Sequence, residues 1–181
     1  HEDGDPHVWF DPVRMAEGMG VVAGALAEVA PDAADWDARA EALADDLEAL
    51  DEEVASILAE VPEDCRVLVT NHDNLRYLAA RYDFEVIGTV LPGTSTAAEP
   101  SAQDFAELAG LLDETGVPAV FAETTQSSRL AESLVAEVGR DVAVVELYTD
   151  ALGEPDSGAD TYAGMMTTDA RRIADALADC R

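Results

Sequence analysis

A histidine, a glutamate and two aspartates stand where β-rich runs of this sequence give way to turns: His72 and Asp73 in "NHDNL", Glu123 in "FAETT" and Asp150 in "YTDALG". Neutral imidazole and carboxylate are together the donors of zinc, manganese or iron sites. Each residue also has a plainer role. His72 or Asp73 caps the helix that follows, Glu123 holds the "TTQSS" turn and faces the positive end of the next helix, and Asp150 is one loop acid among many. Their shared position favours the metal reading, because ligands of parallel sheets collect just beyond the carboxyl ends of the strands. Another histidine, His7, lies in "DPHVWFDP". Pro6 holds its surroundings extended, and Asp11 followed by Pro12 reads as an N-cap with proline at the first helical position. His7 therefore sits in a rigid bend anchored by Trp9 and Phe10. The bend by itself leaves metal or catalytic chemistry and simple hydrogen bonding equally open.

The elements that must position these residues follow from the periodicity. Met15, Met19, Val22 and Leu26 recur at helical spacing over 11–30, a pattern stopped by Pro31. A second helix over about 33–61 carries Trp36, Leu43, Leu47, Leu50, Val54, Ile57 and Val61 in one apolar seam and stops at Pro62. At 1.5 Å per residue it would form a strut about 40 Å long. Beyond it, β-rich runs at 65–71, 84–90, 117–123 and 142–147 alternate with helices over about 73–82, 101–115, 126–138 and 160–179, with Ser101 as a cap. This alternation predicts an α/β fold: a four-stranded parallel sheet with helices on both faces, plus the long helix. The chain divides into residues 1–62, which hold the bend, the first helix and the strut, and residues 63–181, which form the α/β lobe.

Composition narrows the partners. Among 181 residues, 39 are acidic and 10 basic, giving a formal net charge of −29, and every basic residue is arginine. The acids are interleaved with 48% hydrophobic residues in periodic patterns, so the chain should fold rather than remain disordered. Such a solvated acidic coat predicts an extreme halophile, whose salt screens the self-repulsion. Nucleic acid and anionic membranes are poor partners for it. No run is long and apolar enough to span a membrane, and no signal peptide is visible. The chain begins at His1 rather than methionine, which reads as a processed protein or a fragment and leaves location open. Cys65 and Cys180 are too far apart for a metal knuckle; a single disulfide and a pair of buried thiols stand as equal alternatives.

Enzyme templates fit badly. There is no GxSxG, P-loop, GxGxxG or HExxH, and "LPGTST" offers only one glycine as a phosphate cradle. The segments "DPHVWFDP", "NHDNLRYLAARY", "EPSAQDF", "FAETTQSSRLAESLVAEVG", "YTDALG" and "DTYAGMMTTD" instead resemble, in order and spacing, the zinc- and manganese-binding solute-binding proteins of ABC transporters. The likeness runs over essentially the whole chain. It implies two α/β lobes joined by one long helix, of which this chain holds the strut and the C-terminal lobe. It implies metal ligands at His7, His72 and Asp150, with Glu123 and Asp73 around them and a further histidine from an N-terminal lobe. His1 is read as a remnant of an acidic or His-rich loop, not as a ligand. Asp83 stands where the family commonly has glycine and Asn74 where it has a small residue, departures read as surface variation. Zinc is favoured over manganese. The resemblance further implies a monomeric protein on the extracellular side of the membrane, with or without a lipid anchor, that delivers a divalent metal to an ABC permease. A rival is a metal-dependent hydrolase, since three ligands with an open position also build catalytic zinc, and Glu123 would be its base. A third reading leaves the lobe inert, with a site that never forms.

Overall fold

The computed structural model describes residues 4–33, 35–91, 100–178 and 180. His1 and most of the "LPGTST" loop lie outside them. After a short 3-10 turn at Val8–Phe10 the order is α1 (Pro12–Val29), α2 (Trp36–Leu58), β1 (Val67–Thr70), α3 (Arg76–Tyr82), β2 (Glu85–Thr89), α4 (Ala102–Thr115), β3 (Ala119–Glu123), α5 (Arg129–Glu137), β4 (Ala143–Leu147) and α6 (Tyr162–Leu177). The four strands are parallel in the order β2-β1-β3-β4. The chain steps outward from β1 to β2, then returns past β1 to β3 and continues to β4. Right-handed crossovers therefore put α3 on one face and α4 and α5 on the other. The α/β class, the parallel sheet and its helical covering are those read from the sequence.

Why these runs become strands is clear from burial. Leu68, Val69, Val120 and Phe121 are at most 1% exposed, as expected for strands covered on both faces. Leu112 of α4, Leu134 of α5, and Ile173 and Leu177 of α6 are fully buried against the sheet and its helices. Each such side chain contributes roughly 1.5–3 kcal/mol of transfer free energy. A disulfide between Cys65 and Cys180 ties the approach to β1 to the end of α6, with the Cα atoms 5.9 Å apart. This resolves the alternative that the spacing left open.

The strut is continuous from Trp36 to Leu58, 23 residues, or about 35 Å. It starts later than the periodicity suggests because Asp35 caps it, accepting from the Ala38 N–H at 3.1 Å. Leu47, Leu50, Val54 and Leu58 are buried beneath the lobe, but Leu43 is 38% exposed. There the seam faces α1 across a shallow groove instead of the core. Helix α1 has only Pro12 and Ala23 buried, and Val22, counted in its inward stripe, is 46% exposed. Asp51 of the strut anchors α3: Arg81 donates to it through two nitrogens and Tyr82 donates its hydroxyl at 3.0 Å.

Candidate metal site

The crevice where the chain reverses direction lies between the carboxyl ends of β1 and β3, and there the sheet gathers its buried polar residues. His72 follows β1, but it does not cap α3. The Thr70 hydroxyl and the Asn74 N–H both donate to the His72 carbonyl, at 2.7 and 2.9 Å, folding residues 71–74 into a tight turn. This turn postpones α3 to Arg76, three residues later than the sequence suggests, and Leu75 precedes it without a side-chain cap. The turn directs the His72 imidazole inward, where the residue is 1% exposed.

Glu123, the last residue of β3 and 1% exposed, meets that imidazole from behind. Its Oε1 contacts His72 Nδ1 and accepts from Asn71 Nδ2 at 3.2 Å and Asn74 Nδ2 at 3.4 Å. Asn74 is thus no surface variation: it is 1% exposed and helps hold the carboxylate, which corrects the sequence reading. Asp83, the other departure, sits at φ 61° in the left-handed C-cap of α3, which explains why glycine suits that position. Glu123 is likewise not occupied in bracing the "TTQSS" turn with its side chain.

His7 is 4% exposed and arrives from the opposite wall. Its Nδ1 lies 2.6 Å from Asp5 Oδ1, and the same oxygen accepts the His7 backbone N–H at 3.0 Å. The sequence reading passed over Asp5; the signal available was an aspartate two residues before a histidine, with Pro6 between them to fix the turn. The two Nε2 atoms face each other at 3.2 Å. With Asp150 they form a set whose donor atoms all lie within 4.8 Å of one another. Asp150 is the exposed member of the set. Asp73 stands apart: its carboxylate accepts from Arg76 Nε at 2.6 Å, and among the described residues it makes no hydrogen bond to either imidazole.

These contacts dictate the protonation. A carboxylate beside each Nδ1 holds a proton there, which leaves both Nε2 atoms as acceptors pointing at one another. Two lone pairs 3.2 Å apart repel unless a cation or proton lies between them. Burial pulls the His72 pKa down, but the Glu123 hydrogen bond and the charges of Glu123, Asp150 and Asp73 outweigh it, so the net shift is upward. The site thus attracts positive charge. Two nitrogens bound tetrahedrally at about 2.0–2.1 Å to zinc stand about 3.3–3.4 Å apart, close to the spacing seen. Imidazole, imidazole and carboxylate suit zinc, with the oxygen donor also acceptable to manganese.

Comparison with known proteins agrees in kind. The family model for "Zinc-uptake complex component A periplasmic" matches residues 1–176. The zinc-binding protein TroA of Treponema pallidum is 36% identical over 179 residues, covering 96% of this chain. The manganese-binding lipoprotein MntA of Bacillus subtilis is 34% identical over 178 residues, again covering 96%. The chain spans 58% of the length of each of these two relatives. A solved structure of the periplasmic zinc-binding protein TroA superposes with a TM-score of 0.87 over 96% of this chain and 64% of that one. No helix among the described residues is long and apolar enough to cross a membrane. By sequence and by fold, this chain belongs to the ZnuA family of zinc-uptake complex components.

Proposed function

We propose that this chain is the metal-capturing strut and C-terminal lobe of an extracytoplasmic solute-binding protein, which takes a divalent transition metal and hands it to an ABC permease. His7, His72 and Asp150 are its ligands, and an N-terminal lobe supplies a further one. The observation that carries this reading is the facing pair of Nε2 atoms, each imidazole backed by a carboxylate on its other nitrogen. Zinc is favoured because two of the three donors are imidazoles; relatives named for zinc and for manganese keep both metals in view. The Cys65–Cys180 disulfide supports an oxidising compartment outside the cytoplasm. The protein works as a monomer at the outer side of the membrane, held there by a lipid anchor or free, and the acidic surface suits molar salt. The hydrolase alternative loses its base, since Glu123 is engaged on the face of His72 away from the facing nitrogens.

Titration calorimetry with zinc in molar salt at pH 7.5 tests the ligand set. His72→Ala should lose at least about a hundredfold in affinity, more than the 10–100-fold typical of losing an orienting partner. Wild-type affinity in a folded His72→Ala variant would end the assignment.

A further inference from the structure

Trp9 touches three separate parts of the site's frame. Its ring stands edge-on to the His7 imidazole, with centroids 5.2 Å apart and planes at 70°. Its indole Nε1 donates to the Thr149 carbonyl at 3.0 Å, one residue before Asp150 and 140 positions away in sequence. Its own carbonyl accepts the Tyr162 hydroxyl of α6 at 2.7 Å. The Trp9 ring packs against the core, but packing of a ring does not call for the indole N–H contact to Thr149. The neighbouring Phe10, 0% exposed, already buries the bend, whereas Trp9 is only partly buried.

Asp150 needs such a hold. Its carboxylate is exposed and stands on a loop past β4, so its position follows from the backbone that carries it. Among the described residues, two side chains grip that backbone: Asp169 of α6 accepts the Tyr148 N–H at 3.0 Å, and Trp9 donates to Thr149. Only the second also touches His7. We propose that Trp9 is a positioning residue for metal capture, its indole N–H fixing the separation of His7 and Asp150 while its ring limits the tilt of the imidazole. The role rests on the metal-site reading above. Donor atoms a few tenths of an ångström out of place weaken a metal site without unfolding the chain, because the supporting shell and not the core sets them.

Trp9→Phe keeps an aromatic ring and removes the N–H. Zinc affinity should fall about tenfold, while the metal-free melting temperature falls by no more than about 5 °C. The visible d–d bands of the cobalt-loaded chain, which report coordination geometry, should change in shape. Tyr162→Phe, which frees the Trp9 carbonyl, should weaken zinc about threefold in the same direction. Unchanged zinc affinity and an unchanged cobalt spectrum in Trp9→Phe, or unchanged zinc affinity in Tyr162→Phe should Trp9→Phe not fold, overturns the positioning role. So does a loss of metal-free stability that accounts for the whole loss of affinity. Failure of the unsubstituted chain to bind zinc overturns the site reading, and the role of Trp9 with it.

Discussion

The two histidines are oriented by the same chemistry and built in opposite ways. His7 takes its carboxylate from Asp5, two residues away and fixed by the intervening Pro6, so the pair is a property of a short turn. His72 takes its carboxylate from Glu123, 51 residues away across the β1–β3 strand pair. Glu123 Oε1 also gathers Asn71 and Asn74, whereas Asp5 is braced from outside its turn by the Tyr77 hydroxyl on its carbonyl at 3.4 Å. The remote pair is part of the core and the local pair hangs from the wall. A strand-end ligand inherits the rigidity of the sheet, and a turn ligand must be tied down.

Acid should expose the shared chemistry most strongly. The His72 imidazole must be neutral to bind metal, so zinc affinity should fall by several tens of fold between pH 7.5 and 5.5. The His72 pKa is raised, so the loss begins above the ordinary histidine value of about 6.5. Calorimetry across this range checks it; a loss confined below pH 6 would show that Glu123 does not act on His72 as described.

The difference between the pairs is next in size. Glu123→Gln should weaken zinc binding by about 10–100-fold and move the pH midpoint downward, because the main influence raising the His72 pKa is gone. Asp5→Asn should cost less, about tenfold at most, with a smaller change in melting temperature than Glu123→Gln. Equal effects of the two substitutions on affinity and melting would erase the distinction between core-built and turn-built halves.

The smallest effect on metal binding separates the support of Asp150, the third proposed ligand, from both pairs. Asp169, which holds the Tyr148 N–H beneath Asp150, has its carboxyl pushed up to about 7 by burial, and its Oδ2 has no partner among the described residues. A folded pKa above the unfolded one means that its stabilising contribution is complete below about 3.8 and is lost as pH rises through about 7. Over that window the change is about 1 kcal/mol per pH unit. Asp169→Asn, which resembles the protonated acid, should therefore raise the metal-free melting temperature at pH 8 by on the order of 10 °C and leave it near wild type at pH 4. An equal shift at both pH values would remove the charge from the explanation.

Much of this arrangement could be read from local patterns. Asp11 and Pro12 announced the start of α1, Ser101 and Asp104 form the capping box of α4, and the alternation of apolar runs required a covered parallel sheet. The Asp5 partner of His7 is equally local, but an aspartate beside a histidine carries little signal in a chain with 39 acidic residues. Leu43 was misplaced for a different reason: periodicity identifies an apolar face but not how far along the helix a partner covers it.

The bend that carries His7 and the strand ends that carry His72, Glu123 and Asp150 are legible in the chain's local order, because caps, prolines and period are short-range properties. Long-range packing sets the rest: Glu123 backs His72 instead of holding a turn, Asn74 is buried beside it, Trp9 reaches Thr149, and Cys65 and Cys180 meet. Those pairings depend on the order in which parallel strands lie side by side and on where helices cross them. No local pattern encodes that order; it is fixed by the burial of the sheet's two faces as a whole.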